Sequence, residues 1–218
     1  MRQKEKTFEK EIVKKINMEY LLYLPKDYQE SKKWPLVLFL HGAGERGHDL
    51  RLLKRHGIPK LIEEGANFPF IAVSPQCPAD FWWNELFEEL SLLIDEMKND
   101  YSIDDTRIYL TGLSMGGYGT WDFAIRRPDL FAAIAPVCGG AMSRRMVMKL
   151  KNIPVWAFHG AKDNIVLPSE TTDLVEVLKK NGGNVKVTIY PDMEHDSHVA
   201  AYNDPMLYEW LLEQRKPV

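Results

Sequence analysis

From Met18 onward the chain alternates short apolar runs, rich in β-branched and aromatic residues, with longer stretches whose apolar positions recur at helical spacing. The short runs predict strands at Met18–Leu24, Leu36–Leu40, Phe70–Ser74, Arg107–Thr111, Ala132–Pro136, Val155–Phe158 and Val185–Tyr190, with an extra amino-terminal strand near Thr7–Val13. The longer stretches predict helices at about Leu50–Glu64, Glu85–Asn99, Met115–Arg126, Ser169–Lys180 and Asp204–Glu213. Pro168-Ser169 precedes the fourth helix and Gly182 follows it, while Arg126-Arg127-Pro128 closes the third. Such alternation implies an α/β architecture, a mostly parallel central sheet with helices on both faces. No repeat, low-complexity tract or linker interrupts it, so one domain over residues 1–218 is expected.

Composition narrows the classes of partner. The net charge is −3, and Lys4, Lys6, Lys10, Lys14 and Lys15 form the only basic run, so nucleic acid is not an expected partner. The apolar runs fall far short of the roughly 20 residues of a membrane-spanning helix, and no membrane partner is expected. Met1 to Glu11 is charged and lacks the apolar stretch of a secretory signal, which reads as cytoplasmic, although a trimmed form of a secreted protein would look the same. Cys77 and Cys138 lack Cys-x-x-Cys spacing, which argues against a zinc site or a disulfide framework and leaves one disulfide as the alternative to free thiols.

Candidate chemistry begins at Gly112-Leu113-Ser114-Met115-Gly116-Gly117, between a predicted strand and a predicted helix. This is the G-x-S-x-G pattern, in which a tight turn lifts Ser114 above the sheet over a helix amino-terminus. With 14 glycines and 8 serines in the chain, chance supplies about 0.03 such matches. After an earlier strand stands His41-Gly42-Ala43-Gly44-Glu45-Arg46-Gly47, a loop suited to an oxyanion donor; the donors are assigned to the backbone N–H groups of Ala43 and Met115. His41 is expected to brace that loop, with a catalytic role the alternative.

A serine nucleophile requires a base, and the base a carboxylate. Of six histidines, His48 and His56 read as surface residues and His159 as a turn brace. His195 and His198 remain, in the loop Asp192-Met193-Glu194-His195-Asp196-Ser197-His198. His195 is preferred because it comes earlier in the loop, with His198 the alternative. Their H-x-x-H spacing lacks further ligands for a metal, and no metal is expected. Asp163 follows the strand Val155–Phe158 and gives the chain order nucleophile, acid, base; Asp192 and Asp196 are the fallback acids.

The loop HGAGERG, the elbow GLSMGG, the turn HGAKD and the loop EHDSH together resemble the α/β-hydrolase superfamily across nearly the whole chain. Ser-Pro-Gln-Cys-Pro at 74–78, Trp82-Trp83, Pro136-Val137-Cys138-Gly139-Gly140 and Tyr190-Pro191 further resemble bacterial esterases often labelled predicted peptidases, which are similar to polyhydroxybutyrate depolymerases and feruloyl esterases. That resemblance implies carboxylesterase activity on short acyl chains, and favours His195 because the base of such proteins precedes Asp-Ser. Where relatives commonly carry Trp after Asp-Ser, this chain has His198.

Few residues separate Gly139 from Asn152, so no large lid is expected and the site should be open. The expected substrate is a small ester met by Trp82, Trp83 and Met115, with burial in the core the alternative for the two tryptophans, and with Glu45 and Arg46 either recognising a polar substrate group or forming an ion pair that secures their loop. No cofactor is required by this chemistry. Because the base must be neutral, activity should fall below about pH 6 to 7. A peptidase or an acyltransferase of the same fold, and a non-catalytic binding protein, are the alternatives; oligomeric state is not legible.

Overall fold

The structure is a computed structural model that describes residues 3–217. Its strands are β1 (Tyr20–Tyr23), β2 (Trp34–Leu40), β3 (Ile71–Pro75), β4 (Ile103–Leu113), β5 (Ala133–Val137), β6 (Val155–Gly160) and β7 (Val185–Tyr190). They form one sheet in the order β1-β3-β2-β4-β5-β6-β7. β1 runs antiparallel to β3, and every other neighbour is parallel. The helices are α1 (Gly57–Glu63), α2 (Phe87–Asp100), α3 (Met115–Arg126), α4 (Ser169–Lys180), α5 (Ser197–Asn203) and α6 (Pro205–Glu213).

Every residue of β2 is buried, which is why it reads as an unbroken apolar run. Leu36, Leu38 and Leu40 join a cluster with Leu90 and Ile94 of α2, Trp121 of α3 and Leu174 of α4. Val37 and Phe39 join a second cluster with Ile58 of α1, Tyr202 of α5 and Leu207 of α6. The sheet is thus covered on both faces, as the sequence pattern implies. The chain steps from β2 outward to β3, then returns past β2 to β4 and proceeds the other way to β7. That reversal opens a crevice at the carboxyl ends of β2 and β4, where the connections diverge.

Three expectations need correction. Residues 7–13 form no strand; Phe8, Ile12 and Val13 are exposed, and β1 has only β3 beside it among the described residues. A strand without a hydrogen-bonding neighbour gains nothing to offset its ordering. The helix expected over Leu50–Glu64 is broken: a 3-10 run at Leu50–Arg55 ends on extended His56, and α1 starts at Gly57 with φ +61°. The continuous α-helical path cannot pass a positive φ. Third, an additional helix, α5, intervenes between the histidine loop and α6, and His198 lies inside it.

Candidate active site

Ser114 sits between the last residue of β4 and the first of α3, with φ 54° and ψ −116°. Only Cys138 shares a positive φ among described non-glycine residues. The Ser114 N–H donates to the Val137 carbonyl at 3.0 Å, which ties the elbow to β5. A Cβ on Gly116 would collide with the Leu40 carbonyl, so α3 begins in direct contact with the end of β2. Local strain of this kind persists only where its surroundings enforce it.

His195, in the loop after β7, has Nε2 2.9 Å from Ser114 Oγ and Nδ1 2.7 Å from Asp163 Oδ2. Asp163, just after β6, is anchored through Oδ1 by the N–H groups of Ile165 at 3.0 Å and Val166 at 2.9 Å. Burial pushes its carboxyl pKa up, but the hydrogen bonds from His195, Val166 and Ile165 outweigh this and hold it below the usual range. An ionised Asp163 only accepts, so Nδ1 of His195 donates to it and Nε2 is left to accept from the Ser114 hydroxyl.

The alternatives lie elsewhere. His198 packs against His56 with ring centroids 4.9 Å apart, and burial, with the neighbouring His56, lowers its pKa to about 4. Asp192 pairs with Lys162 at 2.8 Å, and Asp196 Oδ1 accepts from the Glu194 N–H at 3.2 Å.

Ala43 opens a 3-10 turn, Ala43–Glu45, and Met115 opens α3. Amides at such first positions have no partner inside their own helix and remain free to donate. His41 braces the loop: its Nδ1 lies 2.6 Å from the Gly42 carbonyl, its Nε2 accepts from the Cys77 N–H at 2.9 Å, and its carbonyl accepts from Trp83 Nε1 at 3.0 Å. Burial drives the His41 pKa down to about 4.

At the start of α3 lies a cavity of about 440 Å³, lined among others by Trp82, Trp83, Met115, Tyr118, Asp122 and Met142. Trp82 is half exposed and faces the Arg46 guanidinium at 4.8 Å, whereas Trp83 is buried. Glu45 does not line this cavity. It is buried, with carboxylate oxygens 3.9 Å from His41 Nδ1 and 3.8 Å from His56 Nε2. The Glu45–Arg46 ion pair is absent among the described residues, because Arg46 leaves the 3-10 turn in extended conformation and donates instead to the carbonyls of Ala43 and Phe81.

Tyr118 and Asp122 were not anticipated, although they follow Met115 at i+3 and i+7, one face of α3. Asp122 accepts from the N–H groups of Met142 and Ser143, both at 2.9 Å, and so fixes one wall of the cavity. Among the described residues the only regular element between β5 and β6 is a short 3-10 run at Arg144–Leu150, in keeping with an uncovered site. Cys77 and Cys138 are free thiols, and burial pushes both up to about 12.

Among the described residues no group of three or more His, Cys, Asp or Glu side chains could hold a metal ion, and no helix is long and apolar enough to cross a membrane. A model of the dienelactone hydrolase family matches residues 79–204, which include Ser114, Asp163 and His195. The chain is 47% identical over 121 residues to poly(3-hydroxyalkanoate) depolymerase C of Paucimonas lemoignei, covering 49% of this chain and 28% of that protein. It is 30% identical over 132 residues to probable feruloyl esterase C of Aspergillus terreus, covering 57% of this chain and 47% of that protein. The chain therefore spans less than half the length of these two curated relatives. The crystal structure of a thermostable esterase superposes with a TM-score of 0.77 at 35% identity, over 90% of this chain and 59% of that one. With the sheet order, the strained elbow and a family match over more than half of its length in agreement, the chain belongs to the dienelactone hydrolase family of the α/β-hydrolase superfamily.

Proposed function

We propose that the protein is a serine carboxylesterase that cleaves small neutral esters through an acyl-enzyme on Ser114. The observation that carries this reading is the unbroken hydrogen-bond path from Ser114 Oγ through the His195 ring to Asp163, with steps of 2.9 and 2.7 Å. In the first half-reaction Oγ attacks the ester carbonyl carbon while Nε2 of His195 takes the hydroxyl proton. The tetrahedral oxyanion accepts from the N–H groups of Ala43 and Met115, each donor contributing on the order of 3 kcal/mol. Collapse breaks the bond to the alcohol oxygen, which leaves with the proton from His195. Water then attacks the acyl-enzyme by the same route and frees the acid. Asp163 stays ionised throughout and steadies the imidazolium.

The substrate class follows from the cavity. Its walls are mainly aromatic and thioether side chains with the uncharged amide of Asn84, and its two carboxylates are already bound to the backbone. Glu85 accepts from the Trp82 N–H at 2.8 Å, and Asp122 from Met142 and Ser143. A volume of about 440 Å³ suits a short acyl chain or one ring rather than a long lipid tail. The two relatives described above, a poly(3-hydroxyalkanoate) depolymerase and a probable feruloyl esterase, support an ester substrate. Hydrolysis of p-nitrophenyl esters from acetyl to dodecanoyl tests the reading, with peptide anilides alongside to detect a peptidase. The expected result is a maximum at acetyl to butyryl and none with Ser114→Ala; full activity in that variant would overturn the assignment.

A further inference from the structure

His159 is wholly buried at the end of β6, and the mechanism above makes no use of it. Its Nδ1 lies 2.8 Å from Thr171 Oγ1 on α4, and its Nε2 lies 2.9 Å from the Val166 carbonyl and 3.3 Å from Asp163 Oδ2. That carboxylate oxygen is the one that receives His195. Two imidazoles therefore converge on a single oxygen of Asp163, one of them out of reach of solvent.

The position of the proton on His159 follows from its neighbours. Burial disfavours the imidazolium and lowers its pKa, which leaves one ring proton. Nε2 faces a carbonyl and an ionised carboxylate, neither of which can donate. Nδ1 faces a hydroxyl, which can. The proton accordingly resides on Nε2, and the Thr171 hydroxyl is shared between Nδ1 and the Gly139 carbonyl, 2.6 Å away. The titratable groups that face the ring are Asp163 on its own turn and His195 from the loop after β7; α4 contributes only the uncharged Thr171, and the segment after β5 the Gly139 carbonyl.

We propose that His159 is a positioning residue of the triad: its Nε2–H, hydrogen-bonded to the Val166 carbonyl at 2.9 Å, stands 3.3 Å from Asp163 Oδ2 and, by the positive end of its dipole, withholds part of that oxygen's negative charge from His195. Because Oδ1 is independently fixed by Ile165 and Val166, loss of the His159 donor leaves the carboxylate in place. Its full charge then acts on His195, and the imidazolium becomes easier to form. This inference rests on the serine-esterase reading, and Ser114→Ala tests that reading without touching His159.

The experiment compares His159→Gln, whose amide nitrogen reaches the Nε2 position, with His159→Asn, whose amide reaches only the Nδ1 position. The readouts are kcat/KM against pH on p-nitrophenyl butyrate, with fluorophosphonate titration counting competent sites and thermal melting reporting the fold. For His159→Asn the acid limb is expected to move to higher pH by roughly 0.5 to 1 unit, with plateau kcat and KM changed less than about threefold. For His159→Gln the limb should stay with the wild type. An unmoved limb in the Asn variant, or equal movement in both, overturns the proposal. Nitrogen–proton correlation spectra of the wild-type imidazoles read the same proton without any substitution. They should show His159 protonated at Nε2, and protonation at Nδ1 alone overturns the proposal as well.

Discussion

Asp122 accepts the backbone N–H of Met142 at 2.9 Å and, through its other oxygen, that of Ser143 at the same distance. One buried carboxylate on α3 therefore fixes the segment that replaces a lid in this chain. Asp122→Asn turns one of those acceptors into a donor that faces an N–H group. The expected result is a three- to tenfold rise in KM for p-nitrophenyl esters with kcat nearly unchanged, and a loss of about 1 to 3 kcal/mol in urea unfolding. An unchanged KM would show that the wall holds without this anchor.

The elbow at Ser114 separates strain from chemistry. Both Ser114→Ala and Ser114→Gly remove the hydroxyl, yet only Ala keeps a Cβ at φ 54°. The Gly variant is expected to be more stable than the Ala variant by about 1 kcal/mol, since the relief of strain exceeds the added flexibility of the unfolded chain. Thermal melts of the two inactive proteins, run side by side, decide it.

Asp163→Asn keeps the size of the side chain but offers the base an amide. The His195 tautomer that accepts from Ser114 is then no longer favoured, and kcat should fall by roughly 10³- to 10⁴-fold while KM changes little. A loss of less than tenfold would mean that another carboxylate serves His195.

Acid stability should follow His41, buried in the loop after β2. The pKa of His41 is lowered by burial to about 4 in the fold, against 6.5 in an unconstrained chain. Between those values the unfolded chain binds a proton that the folded one refuses, so stability declines as pH falls from about 6.5 to about 4. By pH 4 this amounts to about 3 kcal/mol from His41. Asp104 acts in a lower window. Burial raises its pKa, but hydrogen bonds from Thr106 and Arg107 outweigh this and hold it at about 2, so its contribution persists until pH falls below about 4. Urea midpoints recorded from pH 7 to pH 4 should descend steadily, and less steeply in His41→Asn. A flat profile over that range would contradict the argument.

Much of this molecule was legible in the sequence for physical reasons. A strand covered on both faces must be apolar throughout, and β2, β5 and β6 were found on that basis. The elbow was visible because its backbone tolerates glycine alone at the flanking positions, and a positive φ at Ser114 agrees with that constraint. The exposed stretch around Phe8, Ile12 and Val13 misled because apolar residues suggest a strand whether or not a neighbour exists to pair with it. Gly57 falls inside a helical pattern because one glycine lowers helical propensity only modestly, and nothing local encodes its positive φ. The placement of Glu45, Asp122 and His159 depends on contacts between segments distant in the chain. No local pattern encodes the cavity wall or the second imidazole at Asp163.

The three converging side chains follow three different strands, β4, β6 and β7, and β7 is both the last strand in the chain and an edge of the sheet. His195 is thus carried by a margin whose residues are only partly buried, while Ser114 stands at the centre. In refolding, recovery of turnover should trail the burial of the tryptophans, because long-range pairing at the periphery completes the assembly. Fraying of that margin would silence the molecule while most of its interior stayed intact.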